Sequence, residues 1–130
     1  MILADSSAWV EFLRRTGSRI NVRMRDLIAE PNQVVVTDAV VMELLAGARD
    51  TADRDGLRRL LWRCHFAPTD GPADYEDAAE IYRACRQRGH TVGNHIDCLI
   101  AAVAIRTRLP ILHADGDFET IAMHTPLAIG

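Results

Sequence analysis

No lysine occurs anywhere in the chain: all 15 basic residues are arginine. Schiff-base chemistry, a phosphate-loop lysine and a catalytic lysine base are therefore excluded. Cysteine is scarce. Cys64, Cys85 and Cys98 are an odd number with no CxxC spacing, which reads as free thiols in a reducing compartment rather than a disulfide framework or a zinc site. The five histidines supply neither an HxxxH pair nor HExxH. Long apolar runs are also missing. The longest, Cys98 to Ile105, has eight residues, far below a membrane span. Asp5 interrupts the N-terminal apolar segment before a signal sequence develops. A cytoplasmic chain without membrane contact is the expectation. An excess of positive charge is absent too. With 18 acidic residues and a net charge of −3, the protein does not hold nucleic acid by bulk charge alone.

What is present is the composition of an ordinary globule: 130 residues, 48% hydrophobic and 25% charged. This predicts a single domain over residues 1–130. Met1-Ile2-Leu3-Ala4 reads as a buried strand ending at Asp5. Trp9, Phe12 and Leu13 mark a helix with Ser6 or Ser7 as its cap. Ile20, Met24, Leu27 and Ile28 mark another, stopped by Pro31. Gln33–Val36 is a β-branched strand, and Thr37 caps a helix running to about Ala48. Leu57, Leu60, Leu61 and Cys64 define the next helix, and His65–Ala67 a weak strand. Tyr75, Ala78, Ala79, Tyr82 and Cys85 define a helix ending at Gly89. Asn94 caps a helix from about Ile96 to Arg106. Strands at Pro110–His113 and Leu127–Ile129 flank a short helix from Asp117 to Met123. Strands alternating with helices predict an α/β fold with a mainly parallel sheet covered on both faces.

Four acids break the usual rule that carboxylates mark exposed surface. Asp5 follows the first strand directly, and Asp115 follows the strand at Ile111-Leu112. Open parallel sheets build their sites outside the carboxyl ends of strands. Glu43 is the one charge in the ten residues from Ala39 to Ala48, and Asp97 the one charge in the ten from Ile96 to Ile105. Helices apolar all round are buried helices, and a carboxylate there needs a partner, a proton or a metal. A helix following a parallel strand, or preceding the next, starts near the sheet's carboxyl edge, so all four acids can converge there. Each has a local reading as well: turn or cap for Asp5 and Asp115, the positive helix end for Asp97, a buried arginine partner for Glu43. Convergence of carboxylates about 4 Å apart costs roughly 4 kcal/mol per pair at an effective dielectric near 20. A hard divalent cation, Mg²⁺ or Mn²⁺, relieves all four at once. Asp117 is a further ligand, a neighbouring acid or a helix cap. Ser6, Thr37 and His113 are candidates to orient the carboxylates; capping by Ser6 and Thr37 and a structural role for His113 are the alternatives. His95 is left a structural histidine.

The ordered set Asp5-Ser6-Ser7-Ala8-Trp9, Thr37 with Glu43-Leu44 and Gly47, Asp97-x-Leu99-Ile100-Ala101-Ala102 and Asp115-x-Asp117-Phe118 resembles the PIN-domain ribonucleases, specifically the VapC toxins of type II toxin–antitoxin pairs. The similarity runs from Met1 to about Ile129. It implies a three-layer α/β/α sandwich and an Mg²⁺- or Mn²⁺-dependent endoribonuclease. The metal ligands it implies are Asp5, Asp97 and Asp115, with Glu43 joining them as a catalytic acid. It also implies a VapB-type antitoxin, a homodimer, and a structured RNA such as tRNA or rRNA as substrate. One departure is His113, where many relatives carry a hydroxyl residue.

The acids and the resemblance together fit metal-assisted hydrolysis of a phosphodiester to 5′-phosphate and 3′-hydroxyl products, with Asp97 or Asp115 as candidate general base. Two arginine groups, Arg14 to Arg25 and Arg49 to Arg63, are candidate phosphate contacts, with Arg54 and Arg58 foremost. Solvated helix faces are the alternative. A phosphoacceptor receiver domain is disfavoured by the missing lysine. A catalytically inactive metal- or RNA-binding PIN-like module is the competing function. The leucines at Leu44-Leu45 and Leu57-Leu60-Leu61 offer a groove for an antitoxin segment, or simply pack the core.

Overall fold

The computed structural model describes all residues from Met1 to Gly130. Four short strands form one parallel sheet: β1 (Ile2–Ala4), β2 (Val34–Val36), β3 (His65–Phe66) and β4 (Ile111–Leu112). Their order is β3-β2-β1-β4. Leu3 pairs with both Val35 and Ile111, and Val35 with His65. Every residue of β1, β2 and β4 is buried, as expected for strands covered on both faces. The strand order reverses between β1 and β4, so a crevice opens at their carboxyl ends.

Seven helices flank the sheet: α1 (Ser6–Leu13), α2 (Arg19–Ala29), α3 (Asp38–Ala46), α4 (Thr51–Leu61), α5 (Ala73–Gln87), α6 (His95–Thr107) and α7 (Asp117–Ala122). This is the three-layer α/β/α sandwich. The α1–α2 hairpin packs on α3 and α3 on α4, while α5, α6 and α7 pack on one another. Trp9, Met24, Leu61, Ile100 and Phe118 are fully buried and knit the helices to the sheet.

Several local expectations differ. Leu127–Ile129 contributes only a single parallel bridge, Ile111 to Ile129. The cap of α1 is Asp5, whose side chain accepts from Ser7 N, rather than Ser6 or Ser7. Thr37 stands at the cap of α3 without a side-chain cap bond, and Gly116, not Asp117, precedes α7. The helix α3 is not buried all round: Met42 is 56% exposed, and the buried residues of the helix are Ala39, Val40 and Leu44. On α5 the buried face is Asp74, Ala78, Ile81 and Cys85, while Tyr75 is 60% exposed.

Asp74 explains that rotation. It is completely buried, and Arg106 of α6 donates to it through Nε and Nη2 at 2.9–3.1 Å. Arg106 Nη2 also donates to the carbonyl of Pro68 at 2.9 Å, and Asp74 accepts from Asp70 N at 2.8 Å. A forked, hydrogen-bonded pair of this kind fixes the α5–α6 register in a way that a Lys could not.

Candidate metal centre

Asp5 leaves β1 and immediately starts α1. Its Oδ2 accepts from Ser7 N at 2.9 Å and from Ser7 Oγ at 2.5 Å. Its own N–H donates to Leu112 O of β4 at 2.9 Å. Ser7 Oγ in turn accepts from Ala114 N at 2.9 Å. One hydroxyl thus ties the acid at the end of β1 to the loop that carries Asp115. In that loop Asp115 N donates to His113 Nδ1 at 3.1 Å, and Asp117 N to Asp115 Oδ1 at 3.0 Å. The loop before α6 joins as well, since Gly93 N donates to Asp117 Oδ2 at 3.2 Å.

Asp97 lies in the first turn of α6, 3% exposed. One carboxylate oxygen each from Asp97, Asp115 and Asp117 lies within 4.8 Å of the others. Asp5 adjoins this triad closely enough that its charge disfavours ionisation of Asp97, and Asp115 disfavours that of Asp5. Glu43 projects from the second turn of α3, half-buried, and accepts from Ser6 Oγ at 3.0 Å. Asp5 and Asp115 both act on it electrostatically.

The cost of this arrangement shows in the acidities. Burial raises the pKa of Asp5, outweighing the Ser7 hydrogen bonds that pull it down, and repulsion from Asp115 adds to the rise. Burial, then repulsion from Asp5 and Asp115, raises that of Glu43 against the bond from Ser6. Asp97 is pushed up to about 9, first by desolvation, then by sharing a proton with Asp117 and by the charges of Asp5 and Asp115. Two buried oxygens, Asp5 Oδ1 and Asp97 Oδ2, have no hydrogen-bond partner. Orphaned carboxylate oxygens facing other carboxylates demand a counter-charge. All the donors are oxygens, and neither imidazole nor thiolate joins them, which suits a hard cation such as Mg²⁺ or Mn²⁺.

The remaining candidate residues separate clearly. Thr37 Oγ1 donates to the neighbouring Asp38 at 3.1 Å rather than to Asp5, Glu43, Asp97 or Asp115. His113 presents Nδ1 to the Asp115 backbone and Nε2 to Glu119 Oε1 at 3.3 Å. Both contacts are within the loop and helix that carry Asp115 and Asp117. Arg54 pairs with Asp55 at 3.1 Å, and Arg58 is exposed on α4 without an ion pair. Sequence reasoning overlooked Ser7 and the Gly93 amide. Ser7 had a signal, a hydroxyl two residues after a strand-terminal aspartate. Gly93 had none, because only the tertiary fold brings it to Asp117.

A family model described as PIN domain matches residues 2–123 of this chain. The "VapC ribonuclease Mb1587" of Mycobacterium bovis is 44% identical over 128 residues, covering 98% of this chain and 96% of the relative. "Ribonuclease VapC11" of Mycobacterium tuberculosis matches with the same identity and coverage. Among solved structures, VapBC2 from Rickettsia felis, bound to a DNA fragment from its promoter, superposes with a TM-score of 0.77 at 17% identity, covering 100% of this chain and 98% of that one. The sarcin–ricin-loop-cleaving toxin VapC20 of Mycobacterium tuberculosis superposes with a TM-score of 0.66 at 19% identity, over 98% of this chain and 99% of that one. These superpositions establish a common fold.

Proposed function

The chain belongs to the PIN-domain family, among the VapC ribonucleases, and from that premise we propose that it is the endoribonuclease toxin of a toxin–antitoxin pair, dependent on Mg²⁺ or Mn²⁺. The observation that carries the metal reading is the set of converging carboxylates of Asp97, Asp115 and Asp117 beside Asp5, with two buried oxygens unpartnered.

Asp5, Asp97 and Asp115, joined by Asp117, would hold the ion. When bound, it supplies the positive charge that lets an RNA phosphate enter this acidic crevice and lowers the pKa of a coordinated water. The residues do the rest. Ser7 holds Asp5 in place against the Ala114 loop, and Ser6 aims Glu43. In this reading Asp97 and Asp115, the bases suggested by the sequence, are taken up as ligands, and Glu43, partly solvent-accessible and with a pKa raised by burial, is the carboxylate left to take a proton from the attacking water. Water adds to phosphorus, the bond to the 3′ oxygen breaks, and that oxygen takes up a proton. The products are a 5′-phosphate and a 3′-hydroxyl.

The same reading supplies the partners. Val10, Leu13, Leu44, Leu57 and Leu60 line a cleft of about 450 Å³ between α1, α3 and α4, with Glu43 at one side. An apolar antitoxin segment fits such a groove, and a basic side chain at its tip would neutralise the acids. A homodimer and a structured RNA substrate, tRNA or rRNA, belong to this proposal. So does action in the cytoplasm; no helix is long and apolar enough to cross a membrane.

The test is RNA cleavage by the purified protein. Cleavage is expected with Mg²⁺ or Mn²⁺, absent in EDTA, and absent in Asp5→Asn and Asp97→Asn. Undiminished cleavage by either variant overturns the assignment.

A further inference from the structure

Resting on the reading that the substrate is RNA, we propose that the α1–α2 hairpin is a second RNA-contacting surface, in which Arg15 and Arg25 hold backbone phosphates away from the scissile bond, supported by Arg14, Arg19 and Arg23. Of the chain's arginines, four are held in ion pairs: Arg49 with Asp53, Arg54 with Asp55, Arg83 with Glu80 and Arg106 with Asp74. The Arg49–Arg63 group is thus partly neutralised from within. The five arginines between residues 14 and 25 are all exposed and none is in an ion pair. Arg19 and Arg23 stand one turn apart on α2, a like-charged spacing that disfavours the helix unless an anion lies over it.

The geometry adds four further points. Arg15 and Arg25 line one cleft of about 380 Å³ whose wall is Phe12 and Leu13. It offers charge for a phosphate beside apolar surface for a base or ribose. Arg15 occupies a left-handed backbone position, φ 52°, where glycine or asparagine is the undemanding choice. Arg14 lines the same cleft as Glu43, so charge extends from the acidic centre to the hairpin. Between Asp5 and Arg15 the helix Ser6–Leu13 rises roughly 12 Å. That is about three to four nucleotides of stacked strand.

The experiment measures binding of fluorescein-labelled RNA, a 16-mer and a trimer, by anisotropy in EDTA from about 50 to 300 mM salt. The proteins are the wild type, Arg15→Ala/Arg25→Ala and Arg19→Gln/Arg23→Gln. Each double variant is expected to lose about tenfold in affinity for the 16-mer at low salt. Its log–log salt slope should flatten by about 1.4, two phosphates at 0.7 each. Trimer binding, Mn²⁺ affinity by calorimetry and the melting temperature are expected to stay unchanged. A slope that does not flatten, or an equal loss on the trimer, overturns the proposal. So does a variant that keeps RNA affinity but loses affinity for the antitoxin. If the first variant fails to fold, the second, on the outer face of α2, decides alone. Variant-sensitive binding by a wild type that cuts no RNA in Mg²⁺ or Mn²⁺ removes the nuclease reading and keeps this one. Cutting with an insensitive slope does the reverse.

Discussion

Replacing Asp97 by asparagine should make the metal-free protein more stable while destroying its response to metal. One Asp97 oxygen lies within 4.8 Å of oxygens from Asp115 and Asp117. At that distance, two ionised carboxylates repel by about 3–4 kcal/mol at an effective dielectric near 20. The metal-free protein escapes by keeping a proton on Asp97, whose pKa is pushed up to about 9 by burial, the Asp117 hydrogen bond and its charged neighbours. The unfolded chain releases that proton near pH 4. Between those values the folded state binds more protons than the unfolded state. Stability in EDTA must therefore fall as pH rises through this window, by at most about 1.4 kcal/mol per unit for one proton, and level off above it. The amide that replaces the carboxyl group in Asp97→Asn carries no such proton. At pH 8 the variant is expected to exceed the wild type by about 2–3 kcal/mol after relaxation, roughly 8–12 °C for a domain of this size. Saturating Mn²⁺ should reverse the order, since wild type gains about 4.1 kcal/mol at 1,000 times Kd and the variant gains little. Thermal melts from pH 5 to 9.5, in EDTA and in Mn²⁺, read every part of this. Parallel pH–stability curves in EDTA, or a variant that Mn²⁺ still stabilises fully, would refute the reasoning.

Three more perturbations test separate parts of the structure. Ser7→Ala removes the hydroxyl shared by Asp5 and Ala114 N, and calorimetry should show about a 10–100-fold loss of Mn²⁺ affinity, the range for groups that orient ligands; full affinity would confine Ser7 to tying the end of β1 to the Ala114 loop. Asp117→Asn should weaken Mn²⁺ as much as Asp115→Asn does, because both oxygens belong to the same triad; an unaffected Asp117 variant would confine that residue to its Gly93 contact. Arg106→Met strands the fully buried Asp74 and is expected to cost about 3 kcal/mol in urea unfolding. Burial alone would raise the Asp74 pKa, but bonds from Arg106 and Asp70 N hold it below the ordinary carboxyl range. The stability it contributes is therefore present above about pH 4 and lost as pH falls further. Arg106→Met should flatten that acid limb.

Asp5 shows how far the sequence carries and where it stops. An aspartate directly after a buried apolar strand admits a cap or a ligand as readings, and the structure makes it a cap through Oδ2 while Oδ1 stays unpartnered among other acids. The two readings compete only while each is assigned the whole residue; the two oxygens divide them. Asp97 was legible because a lone charge in an apolar helix has few inexpensive explanations. Glu43 was legible for the same reason, but the inference that α3 is buried all round failed: Met42 is exposed and Leu44 borders a cleft, and composition does not distinguish an exposed apolar face from a core. Asp74 and Arg106, 32 residues apart, left no local trace. Both look like ordinary surface charges, and only the crossing of α5 and α6 pairs them. The strands are where the apolar runs place them but one or two residues shorter, with Met1, Gln33, Ala67, Pro110 and His113 left outside the ladders.

The sheet order turns these separate residues into one site. Because β1 lies between β2 and β4, its carboxyl end is the point where the chain's opening residues meet its last quarter. Asp5 arrives on β1, Glu43 on the helix after β2, and Asp115 and Asp117 on the loop after β4. Asp97 comes from the start of the helix that precedes β4. No local segment supplies more than two of these acids, so the crevice exists only once the whole sheet has closed. Unbalanced negative charge then makes that closure unfavourable at neutral pH. Ser6, Ser7 and the amides of Ala114 and Gly93 offset part of the cost with hydrogen bonds. They leave two oxygens unmet, and those are what a cation would take. The features that make this end of the fold electrostatically poor by itself are the ones that would give it an affinity for metal and, through metal, for phosphate.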